Sequence, residues 1–192
     1  SVSNEDIEGG FARIYKALNV FEDNGQVRRG YFVDGLGGAQ FASAATVDEL
    51  RRHAATGRDR SIGARDVALV LAATDPANPY GAALAWPQPA PEAGGHRPGR
   101  KPGALVVLVD GTMAGFIERG GKTVLTFTDD PAVISAMACA LANSVRSGRV
   151  IRLLIDQIDG VNALRSPWQQ IFVEAGFATV PRGLRLRFVD HV

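Results

Sequence analysis

Apolar and polar positions change period several times along this chain, and each change marks a candidate element. Phe11, Ile14, Leu18 and Phe21 recur at helical spacing, with Arg13, Lys16 and Glu22 off that face. The spacing predicts a helix within residues 1–24, stopped by Asn24-Gly25. Two short apolar runs, 27–33 and 39–42, flank a glycine-rich DGLGG turn at 34–38 and predict a β-hairpin. Thr46 and Glu49 stand at capping-box spacing, which predicts a short helix through Arg52. The basic polar stretch 56–65 reads as a linker, so the domain boundary falls between 1–57 and 66–192.

Beyond the linker the chain is rich in strand signals. Residues 67–73 read as a buried strand, 75–81 as a proline-stiffened loop and 82–86 as a resumed strand. The Pro- and Gly-dense stretch 87–103 predicts a mobile loop. Residues 105–109, 112–118 and 122–127, joined by Asp110-Gly111 and by a turn at 119–121, predict a three-stranded meander. Asp130-Pro131 opens a helix with an apolar side of Ala132, Met137, Ala140, Leu141 and Val145, ended by Gly148. A strand follows at 150–155, a helix opened by Ser166-Pro167 and ended by Gly176, and a last strand at 184–189. In that strand Leu184, Leu186 and Phe188 face one way, and Arg185 and Arg187 the other. The fold class expected is α+β: a winged-helix segment, then a β-rich, barrel-like module with two or three helices.

Composition narrows the chemistry. An apolar fraction of 46% supports real cores, and 21% charged residues are ordinary for a soluble protein. No apolar run approaches the ~18–20 residues that span a bilayer, and no secretory leader is expected. The single cysteine, Cys139, cannot form an internal disulfide, which suits a reducing, cytoplasmic compartment. The three histidines and Cys139 lack metal-ligand spacing, so no metal site is expected. A net charge of +1 gives no global attraction to nucleic acid, so any such binding must use local patches.

Two glycine-rich stretches imitate nucleotide sites and fail on context. GGKT at 120–123 lacks the glycine six residues before Lys122, where Phe116 stands, and a strand follows in place of a helix. GLGGAQ at 35–40 carries Gln40 in place of the last glycine of a dinucleotide fingerprint, again with no helix directly after it. No cofactor is expected in this segment.

With those alternatives set aside, four stretches resemble the C-terminal end of Lhr-type proteins, the large helicase-related members of superfamily 2. They are 28–42, 73–81 (ATDPANPYG), 105–118 and 181–187 (PRGLRLR). The resemblance runs through nearly the whole chain in family order. It implies a parent with an ATP- and Mg-dependent motor that moves 3′→5′ on single-stranded DNA and unwinds duplexes and DNA–RNA hybrids. It also implies tandem winged helices followed by a β-barrel-like module, as in the AlkZ-type DNA glycosylases.

Three roles follow as expectations. The first is DNA binding in repair. Arg28 and Arg29 lead into the hairpin, Arg13 and Lys16 lie on the preceding helix, and Arg185 and Arg187 stand on the last strand; such cations suit phosphate. Tyr31 or Phe32 offers a stacking ring, although alternation sends one of them inward. The second role is removal of uracil or alkylated bases. It requires a carboxylate to stabilise an oxocarbenium-like sugar and direct a water, and Asp190 is the best placed. Gln157-Ile158-Asp159 has the Gln-apolar-Asp form of the AlkZ-type motif. The third is homo-oligomer formation or partner docking. Asp75, Asn78 and Tyr80 read as a self-bonded turn, Trp86 and Trp168 as core or interface aromatics, and Cys139 as a small packed residue.

Overall fold

The computed structural model describes residues 10–33, 39–58 and 68–188. The chain divides into two compact units, Ser1–Arg65 with Ala82–Leu84, and Asp66–Gly81 with Ala85–Val192.

The first unit runs α1 (Gly10–Asp23), β1 (Val27–Gly30), β2 (Gln40–Ser43) and α2 (Ala44–Arg58). The strands pair antiparallel, with Arg28 opposite Ala42 and Arg29 opposite Phe41. This is the expected helix–hairpin–helix order. The tip of the hairpin, 34–38, and the stretch 59–65 lie outside the described residues. On α1 the half-buried side holds Ile14, Tyr15, Leu18, Asn19 and Glu22, while Phe21 is 45% exposed. The apolar face is therefore rotated from the expected one, because Tyr15 packs edge-on against Phe41 at 5.9 Å. Helix α2 starts three residues earlier than the Thr46 box predicts and continues to Arg58, into the expected linker. Its cap is Ser43, whose Oγ accepts from the Thr46 amide at 3.2 Å. Glu49 instead pairs with Arg52 and with His53.

The second unit carries β3 (Ala68–Ala72), β4 (Leu105–Val109), β5 (Thr112–Ile117), β6 (Thr123–Thr126), α3 (Pro131–Arg146), β7 (Arg152–Ile155), β8 (Gln157–Ile158), β9 (Val161–Asn162), α4 (Gln169–Glu174), β10 (Ala178–Val180) and β11 (Gly183–Arg187). One sheet has the order β3-β4-β5-β6-β8-β9 and the other β10-β11-β7. The content is mixed α and β. Among the described residues no ring of strands closes, and β3 and β9 remain edges. The meander appears as predicted, with Asp110 and Gly111 both at positive φ (52° and 82°), the signature of a tight hairpin turn. GGKT is indeed a turn between β5 and β6, closed by Gly121 N–H to the Glu118 carbonyl at 2.9 Å.

Helix α3 is capped by Asp130, whose carboxylate accepts from the Ala132 amide at 2.9 Å. It buries Ile134, Met137, Ala138, Leu141 and Val145 against both sheets, in one core with Phe172 and Phe177. Gly115 lets the helix approach β5, since a Cβ there would meet Met137 Sδ. Several expectations change. Strand β3 is an edge, with Leu69 51% exposed, so it is half-buried. Residues 82–86 form no strand, because Gly81 turns at φ 76° beneath the Trp86 ring. The loop 87–103 is tied down: Arg100 donates to four carbonyls, of Thr74, Asp75, Asn78 and Tyr80, at 2.9–3.3 Å. Ala132 and Cys139 lie exposed on the outer side of α3. No helix among the described residues is long and apolar enough to cross a membrane.

Candidate nucleic-acid interface

Alternation along β1 places successive side chains on opposite faces of the hairpin. Arg28 and Arg29 therefore do not form one patch. Arg29 faces α1, donating to the Tyr15 hydroxyl at 2.8 Å and pairing with Glu22 at 3.4 Å. It joins strand to helix. Arg28 is exposed on the other face. Lys16 is exposed on α1; the Arg13 side chain lies outside the described residues.

Past β1, where the strand has ended, the exposures resolve the Tyr31/Phe32 choice. Tyr31 is 89% exposed, whereas Phe32 folds back on Gly30, where a Cβ would stand 2.9 Å from its ring. Tyr31 is thus the ring available to a base. Gln40 explains why the dinucleotide fingerprint ends in glutamine. Its Oε1 accepts from the amides of Phe32 and Val33, both at 2.8 Å, and its Nε2 donates to the Val33 carbonyl at 3.0 Å. One side chain closes the neck of the hairpin. An open pocket of about 400 Å³ lies beside it, lined by Arg29, Gly30, Tyr31 and Ala39.

In the second unit, Arg185 and Arg187 are exposed on the outer face of β11. The register sets Arg187 opposite Arg152 and Arg185 opposite Leu154, adding a third cation to that face. Sequence reasoning missed Arg152. The alternation of β7 alone carried the signal, and its partner strand is not visible without the pairing.

The remaining candidates separate. Gln157 is exposed on β8, between β6 and the edge strand β9. Asp159 is held in a turn at φ 50°, its carboxylate accepting from the Thr126 amide at 2.7 Å and hydroxyl at 2.6 Å. Those bonds lock β6 to the turn after β8. Asp190 lies outside the described residues. Asn78 is 1% exposed and bonds the carbonyls of Ala73 and Tyr80, while the Tyr80 hydroxyl accepts from the Met113 amide at 3.2 Å. Asp75 accepts from the Ala77 amide at 2.8 Å. All three are scaffold. Trp86 packs edge-on against Phe116 at 5.9 Å, and Trp168 packs on the main core.

Comparison with known proteins adds the following. Residues 1–62 match the winged-helix domain of large helicase-related proteins. The chain is 50% identical over 196 aligned residues, 97% of its length, to a Mycolicibacterium smegmatis protein described as Lhr helicase/probable uracil glycosylase. It is 36% identical over 190 residues, 96% of its length, to an Escherichia coli protein described as Lhr helicase/uracil glycosylase. It spans 12% of the length of each of these curated relatives.

Proposed function

We propose the following from one premise: the chain belongs to the Lhr-type family of large helicase-related proteins. It is the nucleic-acid-binding C-terminal module of an ATP-dependent 3′→5′ DNA helicase that works in DNA repair on duplexes or DNA–RNA hybrids. Residues 1–57 form a winged helix, and 66–192 a β-rich, barrel-like α+β terminal module. ATP hydrolysis belongs to the rest of such a protein, and this module grips or positions the strand. The observation that carries this reading is the winged-helix match together with a hairpin that presents Arg28 and Tyr31 outward. Arg28 supplies a phosphate contact and Tyr31 a stacking face.

Fluorescence anisotropy with labelled single- and double-stranded DNA tests it. Affinity should fall steeply with salt. Arg28→Ala should weaken binding without unfolding the unit, and Tyr31→Ala should weaken single-strand binding by about 1–3 kcal/mol. If Arg28→Ala binds like wild type, the wing does not lie on DNA.

A second reading is favoured by the descriptions of the relatives, uracil glycosylase in one and probable uracil glycosylase in the other. In it the module excises uracil: a flipped nucleotide loses its base as water attacks the anomeric carbon, and Asp190 stabilises the cationic sugar and orients the water. Incubation with a uracil-bearing oligonucleotide should give an abasic product that alkali cleaves. Full activity in Asp190→Ala would remove that residue from the chemistry.

A further inference from the structure

We infer that the outer face of the three-stranded sheet in the second unit is a phosphate-gripping surface for a nucleic-acid backbone, with Arg152, Arg185 and Arg187 as its contacts. The inference rests on the nucleic-acid reading above, and extends it to a surface that the winged helix does not supply.

The strand pattern builds the face. Leu184 and Leu186 on β11, with Leu153 and Ile155 on β7, turn to the core that α3 covers. Alternation then sends Arg185, Arg187 and Arg152 outward, and all three are exposed. Arg152 and Arg187 are directly opposite, with Cα atoms within about 5.5 Å in an antiparallel pair. Like charges so placed repel and cost stability. The other positions of the face, Leu154, Ala178, Val180 and Gly183, are uncharged. Just past the end of β7, Asp156 is paired with Arg182 at 3.4 Å. Among the described residues no carboxylate pairs with any of the three arginines.

A polyanion relieves this repulsion. Arg185 and Arg187 stand about 6.7 Å apart along the strand, a spacing suited to successive phosphates of an extended backbone. Among its described positions the face bears no aromatic ring, so they offer no platform for stacking bases and suit backbone contact without sequence readout. Arg152 also lines an open groove of about 430 Å³ with Arg149, Gly120 and Gly121, which lengthens the cationic path. Glu118 lies in that groove, with its carboxylate 3.0 Å from His96 Nδ1.

The test uses the whole 192-residue chain and a fluorescein-labelled 30-base-pair duplex, titrated over a range of KCl. The variant R152A/R185A/R187A should lower the slope of log affinity against log salt by about 0.9 for each lost contact. The charge-conserving R152K/R185K/R187K should keep the wild-type slope. If the triple alanine variant fails to fold, R187A alone supplies the reading. A wild-type slope in the alanine variants overturns this face and leaves the winged-helix reading standing. No binding by the wild-type chain overturns both. Displacement of the duplex by poly-glutamate as readily as by unlabelled duplex of equal charge shows an acidic-protein surface, and overturns the assignment to nucleic acid.

Discussion

The two units are held together by different forces. The second buries large apolar side chains completely: Phe116, Phe172, Ile134, Leu141 and Ile155 have no exposure. In the first, Val47 is the one buried apolar residue among those described, and Val20, Phe21, Tyr31, Val33 and Leu50 are substantially exposed. There the order comes from polar ties: Arg29 to Tyr15 and Glu22, Gln40 across the hairpin neck, and Ser43 on the first turn of α2. Small units bury little area, so each directed bond carries a larger share of their stability. A packed unit and a polar-tied one are therefore sensitive to different substitutions.

The sharpest break between them is Phe172→Ala. Removing a fully buried ring that packs edge-on against Phe177 at 5.4 Å should cost about 3–5 kcal/mol. Calorimetry should show this as a downward shift of one unfolding transition. If the two units melt as a single transition and move together, the contrast is not energetic. Next is Gly183→Ala, whose methyl group would collide with the Ile155 carbonyl; we expect a loss of about 1–3 kcal/mol, again confined to the second unit. On the other side of the comparison, Gln40→Ala leaves the Phe32 and Val33 amides without their acceptor and should cost roughly 1–2 kcal/mol. Hydrogen exchange at those amides should quicken while the second unit keeps its protection; unchanged exchange would show that the neck does not depend on this side chain. The smallest effect is Ser43→Ala, about 1 kcal/mol from loss of the helix cap, read by urea unfolding. A neutral result there would return the cap to Thr46.

Much of this arrangement was legible in the chain. The meander, the Asp130-Pro131 helix start and the Leu184/Arg185 alternation depend on local pattern, and each appears as expected. The misses share a cause in long-range packing. Phe21 has helical spacing but is exposed, because the Tyr15–Phe41 contact sets the rotation of α1. Strands β8, β9 and β10 are two or three residues long, and only their partners define them. Arg28 and Arg29 look like one cationic patch in the sequence, and the pleat divides them. Asp159 stands in a short motif, and the sequence does not show that both its carboxylate oxygens accept from Thr126, a residue 33 positions away.

The Arg100 clamp has a practical consequence. One guanidinium closes an excursion that leaves the fold at Thr74 and returns 26 residues later, and it bonds only to main-chain oxygens. The identities of the side chains inside the excursion do not enter that closure, and closing a longer loop costs only about 0.6 kcal/mol per doubling of length. The exposed turn at Gly94-Gly95, where a side chain would meet little or nothing, is thus a natural port for an inserted tag or fluorophore. A reporter placed there would ride on the scaffold of the second unit.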